Sequence, residues 1–434
     1  MRKLIAYLNG RAVGALAEGN DLWTFEYDRE WAGLPDSFDL SPALPRSQLQ
    51  HQDGGSERPV QWYFDNLLPE EQMREAVSKE ANIQGDDAFA LLEYLGAESA
   101  GSLVLLPPGR DINEPGGLQP LLDDELARRI RNLPRATLSS DAPKRMSLAG
   151  AQNKLLVVYR DGALFEPVGS EPSTHILKPN HLNDDYPASV INEYFVMSLA
   201  RSLGLSVPPV LRRYTPEPVY IVERFDRFID NTGRTQRRHI IDACQLLNKS
   251  RAFKYKTATL QTLAQIVDCC RNRVITRLNL YRWLVFNLLL ANTDNHLKNL
   301  SFLVSAEGIE LAPAYDLLST GTYHSRAFAN ERANWPAVDL AIELPGATTL
   351  ATVTRESIVS AGKVLGLPQR LGERELDRLT KGLPPALSAL EQRIERENAD
   401  YPEPVRVFLG GERRLVSTLT HVIARDMLQH LTTH

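Results

Sequence analysis

"ANTDNHLKNLSF", residues 291–302, follows directly on the apolar run "YRWLVFNLLL", residues 281–290. It crowds Asp294, Asn295, His296, Lys298 and Asn299 into a few positions. A chain that leaves a buried helix and at once gathers so many polar side chains has two simple readings. One is a surface turn that caps the helix. The other is a loop whose fixed base and exposed tips handle a phosphate and a metal. The residue types suit the second reading. Moving a phosphoryl group needs a carboxylate near the attacking hydroxyl, and Mg²⁺ prefers carboxylate and amide oxygens to softer donors.

The spacing agrees. Asp294 and Asn299 stand as D-x-x-x-x-N, and Asp316 follows in "APAYDLLST". That is the order of a protein-kinase catalytic loop: a base, an Asn that holds metal, then a second metal-holding Asp. Upstream, such a site needs a lysine on a strand and an acid on a helix. Lys178 ends "THILKP", and Glu193 lies in the helical "INEYF" stretch. A loop over the phosphates is offered by "MSLAGAQNKLLVV", with Ser147, Ala149, Gly150, Ala151, Gln152, Asn153 and Lys154. It is not a Walker loop and has one glycine, but its Ala-Gly-Ala core lets backbone N–H groups approach an anion. "VYIVERFDR" supplies an adenine edge at Glu223, Arg224 and Phe225. Taken singly, these are ordinary turns, a solvated lysine and a salt-bridged strand exit. Taken together, they fall in one order along one chain, and that order points to phosphoryl transfer.

The rest of the sequence bounds the reading. The 434 residues are 43% hydrophobic and 24% charged, an ordinary globular balance long enough for two or three units. A net charge of −5 argues against a dedicated nucleic-acid binder. The three cysteines, Cys244, Cys269 and Cys270, form no C-x-x-C and read as reduced thiols. The N-terminal apolar stretch breaks at Asn9-Gly10, too soon for a secretory signal and fit for a hairpin turn. No stretch approaches a membrane span, so the expectation is a soluble, cytoplasmic protein without a membrane partner. Residues 1–108 read as an α+β unit, with "WTFEYDREWAGL" strand-like and helices after Pro69 and in "DDAFALLEYLG". Residues 109–140 read as a connector with one helix. Residues 141–250 hold a small sheet, with strands turning at Asp161-Gly162 and one helix against it. Residues 251–434 are helical in their apolar spacing.

"SLAGAQNK", "THILKP", "INEYFVMSLA", "VERFDR", "NTDNHLKNLSF" and "YDLLS" resemble the HipA family of bacterial toxin kinases. "WYFDNLLPE" and "FALLEYLGAESAGSLVLLP" resemble that family's N-terminal region. The resemblance implies an α+β, protein-kinase-like two-lobe fold. Its N-terminal part would be mixed α/β with small antiparallel sheets, and its C-terminal lobe all-α. It implies an ATP- and Mg²⁺-dependent serine/threonine kinase of a type II toxin–antitoxin module. Such a kinase phosphorylates a protein, an aminoacyl-tRNA synthetase such as glutamyl-tRNA synthetase, and so slows translation and favours persistence. A HipB-type helix-turn-helix antitoxin dimer would hold it on operator DNA as co-repressor. By the same resemblance Asp294 is the base, and Asn299 and Asp316 hold Mg²⁺. Lys178 contacts ATP with Glu193 as its partner. Residues 149–154, Glu223, Arg224, Phe225, His296, Leu297, Lys298, Tyr315 and Asp316 line the nucleotide. Ser147 is the autophosphorylated serine whose modification switches the enzyme off. Asn153 stands where family members commonly carry an acid. A small-molecule or lipid kinase, and a co-repressor with little catalysis, are the alternatives the residues leave open.

Overall fold

In a computed structural model that describes every residue except 100, 111, 113, 146–149, 151 and 434, Asn9 and Gly10 take φ of 49° and 83°. Both central residues of a tight hairpin turn need this left-handed backbone, which Asn tolerates and Gly adopts freely. The turn joins Arg2–Leu8 to Arg11–Gly19, with Leu8 opposite Arg11. Leu22–Tyr27 and Gln50–Gln52 extend the antiparallel sheet on one side and Val104–Leu106 on the other. Its inward positions carry Leu4, Ala6, Leu8, Val13 and Phe25, all buried. Phe25 meets Tyr27 and Phe64, of helix Pro59–Asp65, at ring-centroid distances of 5.0 and 5.6 Å. Burying one such ring contributes roughly 2–3 kcal/mol. "WTFEYDREWAGL" is strand only as far as Tyr27. Asp28 Oδ1 accepts from the N–H groups of Glu30 (2.8 Å) and Trp31 (3.2 Å) and starts the helix Arg29–Gly33. A side-chain cap of this kind outweighs strand propensity locally.

The chain divides into two units, neither continuous in sequence. The first comprises Met1–Lys178, Val222–Lys254 and Ser301–Ala312. Besides the N-terminal sheet it holds a run of antiparallel strands in the order Gly117–Pro120, Ala163–Val168, Leu155–Arg160, His175–Pro179. The turn at Asp161-Gly162 repeats the first hairpin's geometry, with φ of 51° and 81°. Leu155, Leu156, Val157 and Val158 are all buried, which explains a continuous apolar run where alternation would mark a half-exposed strand. A third sheet joins His239–Asp242, Ser301–Ser305 and Gly308–Leu311.

At the centre of this unit Glu98 is fully buried. Its carboxylate meets Arg237 at 2.7 Å, Lys144 and Arg227 at 3.0 Å, and Arg224 at 3.7 Å. Ser173 adds its hydroxyl at 2.9 Å. Asp226, also buried, pairs with Arg224 and Arg227 at 2.7 Å each. Burial alone would push the Glu98 carboxyl up. The charges of Arg237, Lys144, Arg227 and Arg224 outweigh it and hold the group well below the usual carboxylate range.

The second unit comprises Pro179–Ile221, Tyr255–Leu300 and Pro313–His434. Helix Ser189–Ser202 is buried over almost its whole length. Helix Arg273–Leu289 starts where Asn272 caps the Ile275 N–H, and it is buried nearly all round from Leu280 onward. Helix Gln369–Ala399 presents Leu376, Leu379, Leu383, Leu387, Leu390 and Ile394 as one buried stripe at helical spacing. Helix Glu403–Thr418, a wide-turned segment Leu419–Ala424 and helix Arg425–Thr433 close the chain. One short ribbon, Asp339–Leu344 with Ala347–Thr349, lies among the helices. Among the described residues no helix is long and apolar enough to cross a membrane, and Cys244, Cys269 and Cys270 form no disulfide.

Candidate active site

The polar loop is built from the end of helix Arg273–Leu289. Ala291 takes a left-handed φ of 52°, which turns the chain out of the helix. Asn287, buried in the last turns, accepts from Asn292 Nδ2 at 2.7 Å, and its own Nδ2 donates to the Trp283 carbonyl at 2.8 Å. Asn292 Oδ1 then accepts from the Asp294 N–H at 3.1 Å. From the other side, Asn299 Nδ2 donates to the Asp294 carbonyl at 2.7 Å. The predicted base thus has both backbone groups held by neighbouring Asn side chains. Its carboxylate receives the Tyr255 hydroxyl on Oδ1 at 2.5 Å. His296, Leu297, Lys298 and Asn299 are buried, and a single tight turn, Leu297–Asn299, sets their directions.

The Asp316 segment is fastened to the same loop. Tyr315 donates its hydroxyl to the Lys298 carbonyl at 2.7 Å. Thr320 Oγ1 accepts from the Thr293 N–H at 2.7 Å and donates to the Ala291 carbonyl at 3.1 Å. The Gly321 N–H reaches that same carbonyl at 2.8 Å. On the helix side, Asn192 accepts from the Ser319 N–H at 2.8 Å and donates to the Ser319 carbonyl at 3.0 Å. Asp316 itself has φ of 56°, a costly backbone for a non-glycine residue and one that recurs at functional positions. Tyr220 is buried nearby. Its burial, then the negative charges of Glu193 and Asp316, push its phenol well above the usual range. The second unit therefore gathers Asp294, His296, Lys298, Asn299, Tyr315, Asp316 and Glu193.

Two hard oxygen donors suit Mg²⁺ here. With its amide nitrogen spent on the Asp294 carbonyl, Asn299 offers its oxygen, and Asp316 offers a carboxylate. Among the described residues no group of three or more His, Cys, Asp or Glu is arranged to hold a metal. Mg²⁺ does not require one, because it is commonly held by one or two protein oxygens together with substrate phosphates.

In the first unit, Gly150 takes φ of 105° and bridges Pro69, and its carbonyl accepts from the Glu70 N–H at 3.2 Å. A Cβ on Gly150 would lie 2.6 Å from Lys154 Nζ, so the lysine amine folds directly over this glycine. Gln152 and Asn153 are partly buried beside it. Ser147, Ala149 and Ala151 lie outside the described residues. Lys178 is buried at the end of strand His175–Pro179. Glu223 is exposed at the end of Pro218–Glu223, and Phe225 is half-buried two residues on. Arg224 donates its N–H to the Thr174 carbonyl at 2.9 Å, while its guanidinium is spent on Asp226.

Tyr255, Thr320, Gly321 and Asn192 lie outside the residues to which the sequence motifs point. Asn192 carried a signal, since an Asn within an apolar helix implies a buried hydrogen-bond partner. The others are ordinary residues in their local windows.

Residues 146–379 match the HipA-like C-terminal domain, and residues 4–106 match the HipA N-terminal domain. The chain belongs to the HipA family. It is 37% identical over 337 residues to the putative kinase Y4mE of Sinorhizobium fredii, covering 74% of this chain and 78% of that one. It is 29% identical over 386 residues to the serine/threonine-protein kinase toxin HipA of Shewanella oneidensis, covering 85% and 84%. The solved complex of Shewanella oneidensis HipA with HipB and operator DNA contains a chain that superposes with a TM-score of 0.77 at 26% identity, over 98% of this chain and 99% of that one. The fold is accordingly the α+β, protein-kinase-like one that the resemblance implies. The chain is an enzyme of the serine/threonine protein kinase class.

Proposed function

We propose that this HipA-family kinase transfers the γ-phosphate of ATP to a serine or threonine of a protein, with Asp294 as the base. The observation that carries this is the hydrogen bond from Asn299 Nδ2 to the Asp294 carbonyl, 2.7 Å long. It holds the backbone of Asp294 and supports Asn299 as a residue whose amide oxygen would be the ligand atom. Asn299 and Asp316 hold Mg²⁺, which when bound neutralises phosphate charge and orients the transferring group. Lys178 and Lys154 meet the phosphates, with Gly150, Gln152 and Asn153 in the covering loop. Glu223, Arg224 and Phe225 present their backbone to the adenine. In the second unit His296, Leu297, Lys298 and Tyr315 are assigned to nucleotide contact, and Glu193 keeps its assignment as the helix acid. Asp294 accepts the proton of the attacking hydroxyl as the new P–O bond forms and the bond to ADP breaks.

In this reading the kinase is the toxin of a type II module and acts in the cytoplasm. Its acceptor is an aminoacyl-tRNA synthetase, and the block on charging arrests growth and favours persistence. A HipB-type antitoxin dimer restrains it and carries it to operator DNA as co-repressor. Phosphorylation of Ser147 silences it. The full-length match to a HipA crystallised with HipB and operator DNA supports the antitoxin assignment.

The test is incubation with labelled ATP and Mg²⁺, followed by mass spectrometry of the chain and of purified tRNA synthetases. Label is expected on a synthetase Ser or Thr and on Ser147. Asp294→Asn should cost at least about 100-fold in turnover while nucleotide affinity holds. Label confined to metabolites, or full turnover by Asp294→Asn, overturns the reading.

A further inference from the structure

Tyr255 belongs to none of the kinase-like motifs, yet its hydroxyl lies 2.5 Å from Asp294 Oδ1. That length belongs to a charge-assisted O–H···O⁻ bond, about twice as strong as a neutral one. The ring stands edge-on to His296, with centroids 4.7 Å apart and planes at 87°. It is 46% exposed, so it is not placed there to fill a core. Its own position is well determined. The Tyr255 carbonyl accepts from the Ala258 N–H at 2.9 Å.

We propose that Tyr255 is a positioning residue for the Asp294 base, an inference that rests on the assignment of Asp294 to that role. Asn292 and Asn299 fix the backbone of Asp294, and hydrogen bonds to the carboxylate set χ2, a torsion whose own well is broad. A base must lie within about 2.6–3.2 Å of the proton it takes, and a small rotation forfeits that geometry. The Tyr255 hydroxyl holds one oxygen and so aims the carboxylate. His296, in the same loop, holds the tyrosine ring. The arrangement orients the base without a covalent step.

The experiment uses the full-length chain with MgATP and measures total γ-phosphate turnover, to water and to protein. Affinity for a non-hydrolysable ATP analogue and the thermal midpoint are measured alongside. Tyr255→Phe is expected to lower kcat about tenfold, with KM, analogue affinity and melting unchanged. Tyr255→para-aminophenylalanine, which restores a donor at the same place, should recover most of the loss. That recovery remains decisive even if the Phe variant melts lower. Unchanged or raised kcat in Tyr255→Phe overturns the proposal. So does a loss that the amino analogue fails to recover, or phosphate found on Tyr255 itself. Asp294→Asn separates the two levels. If it keeps full turnover, the base assignment fails and this inference with it. If it is inactive while Tyr255→Phe is normal, this inference alone fails.

Discussion

A single histidine shows how much a side chain's behaviour depends on what surrounds it. His239, in "RRHIID", is one of nine histidines and carries no sequence signal. In the fold it is buried and stacked on Phe38 at 5.0 Å. Nε2–H donates to the Leu40 carbonyl at 2.9 Å, and Nδ1 accepts from the Ser102 hydroxyl at 2.7 Å. Both nitrogens are satisfied by the neutral ring. Burial moves its pKa down to about 4 against the pull of the Leu40 carbonyl. Above the ordinary value of 6.5 neither the folded nor the unfolded state carries the proton, and there is no penalty. As pH falls from there towards 4 the unfolded chain gains a proton that the folded chain refuses, so stability drops. Below 4 the loss levels off. The full effect is on the order of 3 kcal/mol. Melting curves between pH 7 and pH 5 should therefore fall more steeply for the native chain than for His239→Asn. Equal slopes would show that the ring is not held neutral.

Elements were legible where their chemistry is local. Asn9-Gly10 and Asp161-Gly162 announced hairpins because few residue pairs accept two consecutive left-handed positions. The apolar run before Asn292 announced a buried helix, and Asp294 and Asn299 stood out as candidates only in company with Lys178, Glu193 and Asp316. What stayed hidden is how the loop is fastened, because its fasteners are small residues far along the chain. Gly321 is one of them. A Cβ there would lie 2.6 Å from Ala291 Cβ and 2.9 Å from the Trp335 ring, so no other residue fits without moving the turn that leads to Asp294. Gly321→Ala should cost about 1–3 kcal/mol in stability and lower turnover beyond what the unfolded fraction explains. Gly410, exposed within helix Glu403–Thr418, meets nothing within 4 Å. There the same substitution should stabilise by about 0.5–1 kcal/mol with activity intact. Calorimetry and kcat on the two variants check the contrast. A harmless Gly321→Ala would mean that the turn at Ala291 does not set the base.

The discontinuous units are the feature a linear reading could not supply, because what holds them is paired across long sequence gaps. Glu98 is the clearest instance. Arg227 and Arg237, two of its cations, lie 129 and 139 residues further on. In "EYLGAES" nothing distinguishes this glutamate from a solvated one. Its place in the fold is tolerable only when its partners arrive, since leaving a buried charge without them costs roughly 3–5 kcal/mol. Residues 1–178 contain the N-terminal sheet and look self-sufficient as sequence, but they retain only Lys144 of the four cations around Glu98. They also lack the strands His239–Asp242 and Ser301–Ser305 of the third sheet. Expressed alone, residues 1–178 should form secondary structure without fixed packing, giving far-ultraviolet circular dichroism but little near-ultraviolet signal and no cooperative melt. Glu98→Gln in that fragment should recover part of the cooperativity by removing the uncompensated charge. A fragment that melts cooperatively with glutamate in place would show that the arginines of residues 224–237 are not what makes this burial tolerable.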